Sequence, residues 1–119
     1  MEYAGGRLVT AQDGPIGWIT FNQPERLNAV RRDMWDDLPA AVASLTGSPQ
    51  TRVIVIKGAG DKAFISGADI AEFDVQRHDA ASNRPFTAAV TTATASLIEA
   101  KVPIVAMING FCIGGGMVI

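Results

Sequence analysis

Apolar and polar residues alternate near the start of the chain in a pattern that predicts a β-hairpin. The segments Arg7–Ala11 and Ile16–Asn22 flank a turn at Asp13–Pro15. In the second segment Ile19 and Phe21 alternate with Trp18, Thr20 and Asn22, which is the two-residue period of a strand with one buried face.

Two later segments carry apolar residues three and four positions apart, the spacing of one helix face. The first face consists of Met34, Leu38, Ala41, Val42 and Leu45. Pro39 lies inside this pattern and is expected to kink or restart the helix, which ends at Gly47–Pro49. The second helix is predicted to open at Pro85, with Phe86, Val90, Ala93 and Leu97 on one face. Between the helices, Asp69–Phe73 predicts a helical turn, and Asp74–Asn83 shows no periodicity.

Short β-branched runs predict two buried strands. Val53–Ile56 is unbroken and typical of a strand buried on both faces, and Ile104–Ile108 resembles it. We expect these strands to be parallel neighbours, connected through the helix near Pro85–Lys101. Strands alternating with helices indicate an α/β fold.

The apolar stretch Val102–Ile119 reaches the lower limit of length for a membrane span. Pro103 and a run of glycines interrupt it, so we do not expect it to cross a membrane. Polar residues in the first twenty positions argue against a secretory signal, and a cytoplasmic protein is expected. The triple glycine before Met117–Ile119 indicates a helix that stops after its first residues, as in a domain cut short.

The amino-acid composition excludes several classes of binding partner and functional site. The 119 residues are 48% hydrophobic and carry a net charge of −2, so no basic footprint points to nucleic acid or to an anionic membrane. One cysteine, Cys112, and one histidine, His78, exclude an internal disulfide framework and a His/Cys metal cage within this chain. Carboxylates, hydroxyls, one thiol and backbone amides remain for catalysis.

Three glycine-rich segments each indicate a different kind of functional site. Gly58–Ala63 follows a predicted strand and matches a loose dinucleotide fingerprint, with Asp79 near the expected acidic position. That fingerprint must open a helix, whereas Phe64–Gly67 is β-like and then broken by glycine. An ordinary surface turn is the simpler interpretation.

The second signal is Gly110–Gly114, which has the spacing of a nucleophile elbow centred on Cys112. A cysteine nucleophile needs a histidine base, which in the elbow fold lies downstream of the nucleophile. The alternative is a small thiol that fills space in the core.

The third signal is a pair of loops, Lys62–Ile70 and Ile108–Gly116, each with small residues after a buried strand. Two such loops at the ends of neighbouring parallel strands can direct two backbone N–H groups at one oxygen, which is the requirement for an oxyanion hole. Phe21–Ala29, with its Asn-x-Pro-x-x-x-Asn-Ala-like turn, precedes both loops.

With these three motifs in this order, the chain resembles the enoyl-CoA hydratase/isomerase (crotonase) family. The resemblance implies a crotonase-like α/β fold, a spiral core of β-β-α repeats that is incomplete at the carboxy end. Residues 1–119 would then be the amino-terminal part of a single domain. It also implies that the full-length protein is a homo-oligomer, a trimer or hexamer.

The resemblance further implies an acyl-CoA thioester as substrate, with coenzyme A entering as part of that substrate and no resident cofactor. By position, the N–H groups of Ala68 and Gly115 would hold the thioester oxygen. The residues matching the coenzyme A site are Arg26, Asn28, Ala29, Ser66, Ala68, Asp69 and Ile70. Arg26 would meet phosphates unless it is only a solvated turn residue. For Asp69, capping of a helix is the competing interpretation.

One departure from the family pattern concerns Val118, which stands where hydratases of the family carry a glutamate on the helix after the triple glycine. A second glutamate would lie beyond Ile119, and Glu72 and Glu99 match no motif. Hydration needs groups that activate water and move the α-proton, and valine can do neither. Isomerisation, hydrolysis or a weakly active member therefore stay open beside a non-catalytic acyl-CoA-binding or assembly subunit.

Overall fold

The chain folds as successive β-β-α repeats. The computed structural model describes residues 1–69 and 80–119, with the backbone alone described for residues 80–85. The elements are β1 (Glu2–Tyr3), a 3-10 turn (Ala4–Gly6), β2 (Leu8–Asp13), β3 (Ile16–Phe21), a 3-10 turn (Pro24–Arg26), α1 (Arg32–Thr46), β4 (Val53–Gly58), β5 (Ala63–Ile65), α2 (Ala80–Ile98), β6 (Ile104–Ala106), β7 (Phe111–Cys112) and α3 (Gly115–Val118). The repeats are β2-β3-α1, β4-β5-α2 and β6-β7-α3, in agreement with the expected α/β class.

The strands in the described part of the chain form two sheets. The main sheet has the order β1-β2-β3-β4-β6, antiparallel as far as β3 and parallel from there. Ile54 lies opposite Ile104 and Ile56 opposite Ala106, so the predicted parallel pairing of these two segments is confirmed. The second sheet consists of β5 and β7, also parallel.

The predicted hairpin is β2-β3, with Gly14 and Pro15 at its turn. Ile19 and Phe21 are fully buried, while Trp18 and Thr20, which alternate with them, are half-buried. The period of two in the sequence therefore identified the buried face of β3 correctly.

Two expectations about strand burial are wrong. In β4 the side chains of Ile54 and Ile56 are buried, but Val53 and Val55 are only half-buried, because one face of the strand meets the core. The second strand is shorter than Ile104–Ile108 and is largely exposed, with Val105 49% exposed. Among the described strands it lies last in the main sheet and pairs on one side only, with β4.

Helix α1 buries every residue of its predicted face and ends at Gly47 as expected. It runs through Pro39 as one element, so the prediction of a restart is wrong. Leu38 and Ala41, on either side of the proline, are both fully buried. Their packing keeps the helix continuous despite the main-chain hydrogen bond that proline cannot donate.

Helix α2 begins at Ala80, five positions before the predicted start at Pro85. A proline removes one donor and does not by itself mark a helix start, which explains the error. The predicted face is confirmed: Ala93 is buried, and Phe86, Val90 and Leu97 pack against the core. The turn predicted at Asp69–Phe73 lies, apart from Asp69, outside the described residues.

Among the described helices, none is long and apolar enough to cross a membrane.

Candidate functional site

The two loops singled out in the sequence lie side by side. Strands β5 and β7 are parallel, and the Ile113 N–H donates a hydrogen bond to the Ile65 carbonyl at 3.0 Å. The loops after these strands then touch through their backbones. A Cβ atom on Gly114 would lie 3.4 Å from the Cα atom of Gly67, and one on Gly116 would lie 2.8 Å from the Ile65 oxygen. Glycine is needed for this approach at position 116, where a Cβ atom would be too close to the Ile65 oxygen, whereas one at Gly114 would be in ordinary contact with Gly67.

Ala68 is held in a fixed direction by the residues on either side of it. The Val30 N–H donates to the Gly67 carbonyl at 2.8 Å, and the Asp69 N–H donates to the Val30 carbonyl at 3.1 Å. In this parallel bridge the N–H of Ala68 faces away from Val30.

Gly115 is the first residue of α3, where helix N–H groups have no partner within the helix. Within residues 1–69 and 80–119, neither the Ala68 N–H nor the Gly115 N–H donates to a protein acceptor. Both predicted donors are thus unpaired within the described part of the chain, one on each of the two adjoining loops.

A surface cavity of about 380 Å³ collects most of the residues predicted to bind the ligand. Its lining consists of Glu25, Arg26, Leu27, Ala29, Ser66, Ala68 and Asp69. Ile70 lies outside the described residues. Gly115 does not line this cavity: it packs on Trp35, whose Cζ2 atom would be 3.0 Å from a Cβ atom at that position.

Asn28, in the turn that supplies Arg26 and Ala29 to the cavity, has a fully buried side chain. Its Oδ1 accepts from the Gln23 N–H, and its Nδ2 donates to the carbonyls of Ala59 and Ala63, each at 2.9 Å. The backbone of Asn28 is left-handed, with φ at 55°, a conformation that asparagine tolerates better than most residues. The side chain therefore joins the turn to the segment that leads from β4 into β5.

Asp69 carries a buried carboxylate among basic and polar groups, with 2% of its side chain exposed. Its Oδ1 lies 3.7 Å from Nη1 of Arg26, and its Oδ2 lies 3.8 Å from Nη1 of Arg31. Gln23 Nε2 donates to the same Oδ2 at 3.4 Å. Arg26 is 54% exposed and ion-paired, so it is more than a solvated turn residue. Sequence reasoning missed Arg31 and Gln23, although both lie in or just after the turn motif.

The dinucleotide interpretation of Gly58–Ala63 is wrong, because the residues that follow form strand β5 and no helix. Gly58 has a packing role instead. A Cβ atom there would collide with the carbonyl oxygens of Ala63 and Phe64.

Cys112 does not occupy an elbow. It is the last residue of β7, with Ile113 and Gly114 between it and α3, and it is half-buried with its Sγ 3.9 Å from the Met117 Sδ. His78 lies outside the described residues. The structure fits the simpler interpretation, a thiol packed against the core.

Val118 lies on α3, as predicted, and is 57% exposed. Glu99 is exposed just after α2, and Glu72 lies outside the described residues. Across residues 1–69 and 80–119, no three His, Cys, Asp or Glu side chains lie close enough to hold a metal ion.

A core of β-β-α repeats with two glycine-rich loops joined at the ends of β5 and β7 defines a crotonase fold. The chain belongs to the enoyl-CoA hydratase/isomerase family, whose sequence model matches residues 11–119. It is 33% identical over 110 residues to the crotonyl-CoA hydratase of Syntrophomonas wolfei, covering 92% of this chain and 41% of that protein. It is 30% identical over 115 residues to the peroxisomal Delta(3,5)-Delta(2,4)-dienoyl-CoA isomerase of Arabidopsis thaliana, covering 88% of this chain and 41% of that protein.

Solved structures of enoyl-CoA hydratase family proteins have the same fold as this chain. An enoyl-CoA hydratase/carnithine racemase from Magnetospirillum magneticum superposes with a TM-score of 0.89 at 33% identity, covering 93% of this chain and 42% of that one. An enoyl-CoA hydratase from Rhodobacter sphaeroides superposes with a TM-score of 0.83 at 28% identity, covering 95% of this chain and 34% of that one. The chain spans about two fifths of the length of the curated relatives it matches.

Proposed function

We propose that the protein acts on acyl-CoA thioesters through an enolate-type intermediate, with the N–H groups of Ala68 and Gly115 holding the thioester oxygen. The observation that carries this proposal is the junction of the two glycine-rich loops, each with an unpaired N–H within the described residues. The negative charge on a thioester oxygen grows as the α-proton leaves. Donors fixed at that oxygen therefore stabilise the transition state more than the bound substrate.

The cavity beside Ala68 fits the coenzyme A part of such a substrate. Arg26 lines it with a half-exposed guanidinium, which suits an anionic phosphate, and Ala29 and Ser66 leave room for a narrow chain. Two relatives named above, a crotonyl-CoA hydratase and a dienoyl-CoA isomerase, are named for coenzyme A thioesters, which supports the same substrate class.

We infer that the protein catalyses proton transfer at the α-carbon of the thioester and hydrates enoyl-CoA substrates poorly. Val118 stands at the motif position where a carboxylate would orient water, and an apolar side chain cannot hold water there. The same valine favours a second candidate function, a subunit that binds acyl-CoA without transforming it.

Deuterium exchange at the α-carbon separates these functions. Full-length protein is mixed with a 3-enoyl-CoA in D2O, and the α-proton signal is followed by NMR alongside calorimetric binding of the same thioester. Binding with enzyme-dependent exchange is the expected result. Binding without exchange would favour the non-catalytic subunit, and absence of both would refute both functions.

A further inference from the structure

The buried carboxylate of Asp69 ties three parts of the site together. Arg26 and Gln23 come from the turn before α1, Arg31 directly precedes α1, and Asp69 follows the predicted donor Ala68. Burying a charged group costs free energy unless the group is paired. The contacts of Arg26, Arg31 and Gln23 with the Asp69 carboxylate therefore hold these residues in place together.

The main chain strengthens the same connection. Val30 bonds the residues on both sides of Ala68, through the Gly67 carbonyl and the Asp69 N–H. Arg31, the next residue after Val30, then reaches the Asp69 side chain. The segment containing Ala68 is thus fastened to one short stretch of chain by two backbone hydrogen bonds and one ion pair.

Asp69 also restrains the cation of the cavity. Arg26 is half-exposed, and a long side chain with that much freedom loses entropy when it must meet a phosphate in one position. Its contact with Asp69 already restricts the side chain before the ligand binds, so less entropy is lost on binding, as in a preorganised site.

We propose that Asp69, held by Arg31, is a positioning residue that sets both the direction of the Ala68 N–H and the place of the Arg26 guanidinium. Asp69 lines the cavity, but only 2% of its side chain is exposed, so its carboxylate acts through Ala68 and Arg26 and not as a main contact of the ligand. This inference rests on the proposed function, since it assumes that Ala68 and Arg26 serve one substrate.

Two thioesters distinguish the two effects of Asp69. A 3-enoyl-CoA presents phosphates and thioester together, whereas the N-acetylcysteamine thioester of the same acid lacks the phosphates. Asp69→Asn keeps the size of the side chain and removes its charge. It should lower kcat for α-proton exchange about a hundredfold with both thioesters, because displacement of a positioned group by about 1 Å has an effect of that order. Arg26→Gln should raise KM for the CoA thioester alone.

The measurement uses full-length protein, with Asp13→Asn and Arg52→Gln as matched controls on exposed residues that line neither the cavity nor the loops. The carbonyl stretch of the bound thioester, read by infrared difference spectroscopy, adds a signal that a loss of stability alone does not move. Asp69→Asn should shift this band toward that of the free thioester, while both controls leave it unchanged.

Each result has a defined meaning. A folded Asp69→Asn variant with wild-type kcat and an unshifted band would overturn the inference and leave the proposed function standing. If Asp69→Asn does not fold, Arg31→Gln, altered at a side chain 32% exposed, decides instead. Unchanged kcat on both thioesters would then refute the role. A wild-type protein that neither binds nor exchanges either thioester would refute the proposed function, and this inference with it.

Discussion

At the scale of single residues, Gly58, the last residue of β4 and next to the loop leading to β5, shows how a missing side chain can be a structural requirement. The carbonyl oxygens of Ala63 and Phe64 occupy the space in which a Cβ atom of Gly58 would stand, and Asn28 Nδ2 would be 2.6 Å from it. Asn28 then fastens the same loop through its two donated hydrogen bonds. The packing that brings β5 into place therefore depends on one glycine and one asparagine.

Gly58→Ala should destabilise the fold by about 2 kcal/mol or more, because the atoms it would strike belong to the backbone and cannot move aside. Gly14→Ala is the matched control. Gly14 has a left-handed φ of 56° but open space around it, so its cost should be about 1 kcal/mol, from backbone strain. Urea unfolding of the two variants measures the difference. Equal losses would show that the close packing around Gly58 relaxes easily.

Val118 carries the prediction about reaction type. Full-length wild-type protein should hydrate a short enoyl-CoA poorly, below about 10 per second, since no carboxylate occupies this motif position. Val118→Glu should raise hydration only if a second acid lies elsewhere in the full-length protein, and in residues 1–119 alone it should have no effect. Loss of enoyl thioester absorbance measures the rate, with Val118→Gln as an uncharged control. Fast hydration by the wild type would mean that another residue activates the water.

At the scale of secondary-structure elements, local patterns predicted the elements whose burial depends on their own sequence. The period of two identified the β2-β3 hairpin, and the spacing of Met34, Leu38 and Leu45 identified α1. The exposure of β6 could not be read in this way, because it depends on which strand lies beside it. The same holds for the contact of Gln23 with Asp69, whose partners are 46 positions apart.

The sequence motifs predicted the loops of the site, but they did not predict all of the residues that hold those loops in place. Ala68 and Gly115 fall on loops that the structure joins, since glycine runs after strands are visible in the sequence. Arg31 gave no signal, because its role depends on the folding of the Asp69 loop back onto Val30. Asn28 was visible as a motif residue, but its burial was not.

Pro39 lies inside α1 and should reduce its stability. It cannot donate the hydrogen bond that a helix residue makes to the carbonyl four positions earlier, here that of Trp35. Pro39→Ala should stabilise the fold by about 2 kcal/mol, after allowance for the greater freedom of the unfolded chain. Pro49→Ala, in the exposed segment after α1, should change stability by less than about 1 kcal/mol. Thermal unfolding compares them, and a Pro39→Ala variant that melts lower would show that the ring's packing outweighs the missing bond.

At the scale of the whole molecule, apolar side chains are exposed along the segment from β6 to α3. The residues are Val105, Met107, Ile108, Phe111, Ile113, Met117 and Val118, each between 47% and 73% exposed. In the described residues β6 also pairs with β4 alone, which leaves its other edge with unpaired main-chain groups. Exposed apolar area beside an open strand edge favours contact with further protein surface.

The 119-residue chain, produced alone, should therefore self-associate. Val105→Lys, which places a charge in the middle of β6, should weaken that association because a charged edge strand resists pairing. Thr87→Lys adds the same charge at an exposed position of α2 and serves as the control. Sedimentation velocity over a concentration series should show larger species for the wild type and for Thr87→Lys, and a shift toward monomer for Val105→Lys. A wild-type chain that stays monomeric and binds no apolar dye would show that this segment is covered within the monomer, contrary to its exposure in the structure.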